Sequence, residues 1–378
     1  MGHPPDTVAR RFPLIARPRP ACLPPAQRIH ALSELADTAA KSGDAGIAST
    51  VCNQAALLAS DTGATDDART LCHRHAAAYL HAAPLPGKAA IRALEPVINL
   101  ARLHIRAGRA DNALQHLHTL FDAATTARPA RIENIVVPAA LTTGDDARQE
   151  VRTWLWSVLI ADGTRALTTA GRFSEALTHV QAHRGVGRRM LDGRQVAVLA
   201  ALTTGHPDRA EALLQETTPG APWEQAVTAC LTALCRPTAQ PPAGRHAHQL
   251  ADIYTGLAPE PGRAVFDARL GLTVLDLIGR ATPPAAYRVV NELHRRTAGL
   301  NDGYAARENL THPLFTALAT NEQKKHCQDL VNRCALGSGH LPDDLRDRLT
   351  RALHTSDRTI RRSLTRTEHS PTTRKAPA

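Results

Sequence analysis

The chain has 378 residues, enough for two or three compact domains or one continuous helical array, because single cores rarely grow beyond about 250–300 residues. Aromatic residues make up only 3% of it, alanine and leucine dominate the apolar set, and β-branched runs are scarce, which argues against a sheet-rich fold and for helices. The formal charge is +10, yet only five of the 45 basic residues are lysine (Lys41, Lys88, Lys324, Lys325 and Lys375).

An arginine-for-lysine bias with abundant alanine is the habit of a GC-rich, actinobacterial-type genome. The basic balance therefore gives nucleic-acid binding only slight weight. The opening MGHPPDTVARRFPLIARPRP has no apolar stretch of signal-peptide length, and no later segment approaches a membrane span, so a cytoplasmic protein without membrane contact is expected. Seven scattered cysteines are expected as buried thiols.

Residues 1–26 carry Pro4, Pro5, Pro13, Pro18, Pro20, Pro24 and Pro25, which deny a stable helix and predict an extended arm. From 27 to 235 the pattern is helical and internally repeated. Four segments share one turn: Gly43-Asp-Ala-Gly-Ile-Ala48, Gly108-Arg-Ala-Asp-Asn-Ala113, Gly171-Arg-Phe-Ser-Glu-Ala176 and Gly205-His-Pro-Asp-Arg-Ala210. The glycine ends one helix in a left-handed conformation, and the alanine five residues on lets the next helix lie close. Four residues later an apolar side chain (Cys52, Leu117, Val180 or Leu214) continues the inward face. Leu35-Ala36 and Leu100-Ala101 supply packing pairs for the preceding helices.

This pattern resembles the tetratricopeptide repeat, with its Leu-Gly in the first helix and Ala-x-x-x-Phe in the second. Gly171 and Gly205 are 34 residues apart, and the other intervals are 65 and 63, nearly two repeats each. Helices around 66–93 and 128–156 would fill the gaps, although Pro84-Leu-Pro86 and Arg128–Gly144 break the phase and the consensus Trp and Tyr are mostly absent. The resemblance covers residues 29–224, in four of about six units. It implies an all-α fold, a right-handed superhelical array of antiparallel helix pairs, or TPR-like α-solenoid.

Beyond the Pro/Gly/Arg stretch Arg236–Arg245, helical patterns resume at 246–258, 262–280, 284–298, 304–320, 322–335 and 341–354, with Leu270, Val274, Leu277 and Ile278 on one face. Residues 246–354 are thus expected to continue the array in degenerate form. Residues 355–378, with Arg358, Arg361, Arg362, Arg366, Arg374 and Lys375, read as a disordered basic tail.

In the phase the resemblance implies, the inner face of each first helix lines a concave surface. That face carries Glu34, Asp37 and Lys41, then Glu95, Asn99, Arg102 and Arg106, then Asp162 and Arg165, then Gln195. The partner-binding set runs from Glu95 to Gln195. Asn99 with Arg102 resembles the arrangement with which some tetratricopeptide domains clamp a peptide carboxylate, a task suited to the planar guanidinium. A solvated helix face is the competing reading. A second anion contact is offered by Arg184, Arg188, Arg189 and Arg194 around a glycine-containing loop, which also reads as an ordinary solvated turn because it lacks the endings of nucleotide-binding motifs.

Cys72-His73-Arg-His75, the pair His179/His183 and His326-Cys327 lack the CxxC or HExxH spacing of specific metal sites, so no metal and no cofactor is expected. No catalytic constellation stands out, and the pairs Asp66-Asp67, Asp145-Asp146 and Asp343-Asp344 read as helix starts. Of Trp154 and Trp156, about 200° apart on one helix, one is expected in the core.

The expected function is that of a non-catalytic scaffold or regulatory protein holding a protein or peptide partner on the concave face. Family resemblance alone suggests a separate transcription regulator as one partner. The alternative is a nucleic-acid-associated protein that uses the arginine-rich tail and basic surface.

Overall fold

A computed structural model describes residues 6–235, 244–279 and 283–368. It is 74% helix and 2% strand, the all-α chain that the composition predicts. In chain order the helices are α1 (Asp6–Ala9), α2 (Pro25–Ser42), α3 (Ala45–Thr62), α4 (Thr65–Leu80), α5 (Gly87–Arg106) and α6 (Ala110–Thr126). A hairpin of β1 (Ala130–Ile132) and β2 (Ile135–Val137) precedes α7 (Asp145–Val158), a π-helical turn (Leu159–Gly163) and α8 (Thr164–Thr169). There follow α9 (Phe173–Ala182), α10 (Asp192–Thr203), α11 (Pro207–Gln215), α12 (Pro222–Leu234), α13 (Gly244–Gly256) and α14 (Ala264–Ile278). Last come α15 (Pro283–Leu300), α16 (Gly303–Leu310), α17 (Pro313–Leu318), α18 (Asn321–Arg333) and α19 (Asp343–Glu368). Among the described residues no helix is long and apolar enough to cross a membrane.

All four glycine turns form. Gly43, Gly108, Gly171 and Gly205 have φ of 70°, 71°, 78° and 80°, a region that a side chain resists. The alanines five residues on, Ala48, Ala113, Ala176 and Ala210, are fully buried. Their followers Cys52, Leu117, Val180 and Leu214 are buried as well, so the local unit is a tight helix pair held by small-residue contact. The three acidic pairs lie in the first turns of α4, α7 and α19. All seven cysteines are free thiols, and all but Cys235 are buried.

The chain divides into two compact units whose boundaries differ from the expected succession of 27–235 and 246–354. Unit 1 comprises residues 1–24, 108–111 and 157–336; unit 2 comprises 25–107, 112–156 and 337–378. In unit 2, Leu345, Leu349, Ala352 and Leu353 of α19 pack with Ile29, Leu32, Ala36, Val51, Ala55 and Leu58 of α2 and α3. The helix continues through the segment expected to be a disordered tail. Residues 355–368 are its second half, with Ser356, Thr359, Ile360 and Leu364 buried. Isoleucine and leucine four apart make one apolar stripe, and a docked stripe outweighs the poor apolar average of the segment. Residues 369–378 of the expected tail, 236–243 of the expected linker and the first five of the arm lie outside the described residues.

In unit 1 the arm is a built-in strap. After α1 it runs extended, with Val8, Ala9, Phe12 and Leu14 buried in the same core as Val198, Leu199 and Phe266. Its polar atoms are also met: the Leu14 N–H donates to Gln195 Oε1 (2.7 Å), the Cys22 N–H to Asp302 (3.0 Å) and the Arg19 N–H to the Gly262 carbonyl (3.1 Å). Arg11 pairs with Asp276, and Arg17 with Asp192 at 2.5 Å.

Two further expectations change. Where a helix was expected from 128, residues 130–137 form the hairpin, with Ala130 opposite Val137 and Ile132 opposite Ile135. Pro129 and Pro138 bound a stretch whose β-branched residues favour strand. Neither Trp154 nor Trp156 is buried; the first is half-buried and the second exposed.

Candidate functional site

The predicted inner face of α5 forms a polar seam with α3, inside unit 2. Asn53 Nδ2 donates to Glu95 Oε2 (2.7 Å), Asn99 Nδ2 donates to Asn53 Oδ1 (3.0 Å), and Arg102 donates to Asn99 Oδ1 (3.1 Å). Arg106 donates to Ser60 Oγ (2.7 Å) and to Asp61 Oδ1 (3.2 Å). Asp61 is buried, and its other oxygen takes Arg28 at 2.9 Å, itself buried. Burial raises the Glu95 carboxyl above its ordinary value, against the pull of Asn53 and of Arg92 and Arg102. The amide expected to clamp a carboxylate is thus shared between Asn53 and Arg102, and Arg106 neutralises an internal aspartate.

The remaining predicted residues belong to unit 1 and separate into three situations. Gln195 is fully buried and grips the strap: it accepts from Leu14 N–H and donates to the carbonyls of Leu14 (2.9 Å) and Met190 (3.0 Å). It holds an extended segment of this chain by both backbone groups, so it does not line an open surface. Asp162 is buried within the π-helical turn. Such turns are uncommon and recur at functional sites.

Arg165, one residue into the helix that follows this turn, is exposed. Among the described residues no hydrogen bond or ion pair engages its guanidinium. Desolvation, then the charges of Arg269 and Arg19, push its pKa down to about 10 against the opposing pull of Asp162 and Glu308. Around it the sequence brings cations from distant positions. Arg269 is held on Glu308 Oε1 by two donors at 2.7 and 3.0 Å, Arg19 of the strap stacks 4.3 Å above the Tyr304 ring, and exposed Arg307 lies 5.8 Å from the same ring. Four arginines meet two carboxylates here. The excess positive charge has one guanidinium free to turn toward an incoming anion, with an aromatic platform that fixes two of its neighbours.

The other arginine group is largely occupied. Arg189 makes a two-pronged bond to the buried Glu224, one prong at 2.8 Å, and Arg194 is buried, donating to the Leu213 carbonyl and to Thr217 Oγ1 (3.2 Å). Arg188 reaches the Glu216 carbonyl at 3.5 Å, and Arg184 has a left-handed φ of 53°. Of the noted histidines, His179 Nε2 bonds the Leu159 carbonyl at 3.0 Å and its ring lies 5.1 Å from that of His183. His326 and His294 share a 3.0 Å hydrogen bond.

Sequence reasoning found Arg165 but missed Arg19, Arg269, Tyr304, Arg307 and Glu308. They span almost 290 positions and share no local spacing, so only the fold assembles them. No protein-family model, curated protein or solved structure matches this chain.

Proposed function

We propose that the chain is a non-catalytic protein- or peptide-binding scaffold whose recognition surface is the arginine cluster around Arg165, and that its partner presents an acidic segment. The observation that carries this is an exposed arginine residue whose guanidinium has no bonding partner among the described residues, set in surplus positive charge beside an arginine-stacked tyrosine. Arginine binds carboxylates by paired hydrogen bonds and is among the residues that most often dominate binding energy at protein interfaces. The glycine-turned helix pairs support a tetratricopeptide-like scaffold, and a superhelical arrangement of them remains part of the proposal. A separate transcription regulator is one partner class in keeping with such a scaffold.

The test is selection of peptides from a library balanced for charge. Acidic peptides should be enriched by the wild-type chain and lost with Arg165→Glu. Enrichment of neutral or basic peptides instead would contradict the proposal.

A second reading has its own observation. Arg351, Arg358 and Arg362 are exposed at spacings of seven and four on α19, a basic stripe on a docked helix that suits a phosphate backbone. Nucleic-acid binding with a steep salt dependence that disappears in an Arg351/Arg358/Arg362→Ala triple variant would favour it.

A further inference from the structure

Unit 2 gathers four side chains around Glu133 that no sequence spacing connects. Arg69 and His73, one turn apart on α4, both reach its carboxylate: Arg69 pairs with Oε1, and His73 Nε2 lies 2.8 Å from Oε2. From α5, buried His104 puts Nε2 3.7 Å from Oε1. His116 of α6 meets the His104 ring edge-on at 4.9 Å between centroids, and its Nδ1 is buried without a hydrogen-bond partner among the described residues. The donor atoms of His104, His116 and Glu133 all lie within 4.8 Å of one another.

The carboxylate is delivered by an unfavourable backbone. Glu133 is the first of two residues joining β1 to β2; its φ is 50°, and the residue after it, Asn134, does not share a positive φ. A positive φ at the first position alone is the pattern of a type II′ turn, where glycine is the ordinary residue. A side chain held there strains the backbone. Glycine would make the turn more cheaply, but it would bring no carboxylate to the histidines.

We propose that His104, His116 and Glu133 form a binding site for a divalent transition-metal ion of the zinc class, with His73 orienting the carboxylate. Two imidazoles and one carboxylate are a donor set that such ions accept, leaving one position for water or another donor. Bonds of about 2.0–2.2 Å place tetrahedral donor atoms about 3.3–3.5 Å apart, so the three groups need to close by about 1.5 Å at most. His73 on the far oxygen is the kind of outer partner that fixes a ligand's direction. Arg69 is the competitor: it holds Glu133 when no ion is bound and must yield Oε1 when one enters. An ion here would tie the hairpin turn to α5 and α6, which local packing alone leaves to a two-residue loop.

The experiment is zinc titration of the metal-stripped full chain in competition with a chromophoric chelator, repeated with cobalt to read its visible ligand-field bands. Wild type should bind one equivalent at about 1 µM or tighter. Glu133→Gly and His116→Gln should each weaken that equivalent by about 100-fold or more, since even outer partners of metal ligands change affinity by about 10–100-fold. Glu133→Gly trades the pairs with Arg69 and His73 for relief of the turn, so its metal-free melting temperature should stay close to that of wild type, which separates lost binding from lost folding. Arg69→Met should bind zinc at least as tightly as wild type. Absence of the tight equivalent in wild type, or its retention in either ligand variant, would overturn the proposal.

Discussion

The face of α5 and the surroundings of Arg165 both bring carboxylates and arginines together, yet they are chemically opposite. On the predicted inner face of α5 both arginines have an internal answer: Arg102 on Asn99, and Arg106 on Asp61, which Arg28 shares. At Arg165 the carboxylates nearby are outnumbered, and Glu308 is already held by Arg269. Availability for a partner is set by what the rest of the fold leaves unsatisfied, and residue type alone does not report it.

If the seam of unit 2 is internal, disturbing it should cost stability, whereas disturbing Arg165 should not. Ending the chain after Thr355 removes the buried Ile360 and Leu364 and should destabilise unit 2 by about 3–6 kcal/mol, at about 1.5–3 kcal/mol per buried aliphatic side chain. Amide hydrogen exchange across α2 and α3 reads this, and unchanged protection would mean that α19 is not part of the core. Asp61→Ala removes the carboxylate that buried Arg28 and Arg106 share and should cost about 3–5 kcal/mol on the same measurement. A negligible cost would return α5 to the class of solvated faces.

A pH titration sharpens the contrast. His75 is buried with neither ring nitrogen bonded among the described residues, and burial, against the pull of Asp357, lowers its pKa to about 4. Because the folded value lies below the ordinary 6.5, the stability from its neutral ring is fully present above pH 6.5 and is lost as pH falls toward 4. The loss in unit 2 should be about 2–4 kcal/mol, and His75→Leu should flatten that part of the profile. In unit 1, Ala176→Leu should cost about 1–3 kcal/mol by overpacking the helix pair turned at Gly171. A harmless substitution, seen as an unchanged denaturant midpoint, would remove the small-residue basis of that turn.

The turns were legible in the sequence because their cause is local: a glycine with positive φ and an alanine under the neighbouring helix act within six residues. The C-terminal helices were legible for the same reason, except that Pro313 splits the helix expected over 304–320 into α16 and α17. The sequence of the strap shows it to be proline-rich, but its docking depends on Gln195, Asp276 and Asp302, up to 280 positions away. Likewise α5 shows a polar face whether α3 or water lies opposite. Only tertiary structure tells those apart, and it places four of the seven predicted contact residues (Glu95, Asn99, Asp162 and Gln195) wholly or partly out of reach of a partner.

The most direct test uses one fluorescent acidic peptide, selected against the wild-type chain, and measures its anisotropy with wild type, Arg165→Glu and Arg102→Glu. Melting temperatures are recorded alongside, since an exposed substitution should alter stability by no more than about 0.5 kcal/mol. The account predicts that Arg165→Glu weakens binding by about 30-fold or more, equivalent to about 2 kcal/mol, with an unchanged melt, while Arg102→Glu binds nearly as wild type. Equal affinity of wild type and Arg165→Glu, or a loss confined to Arg102→Glu, would contradict it.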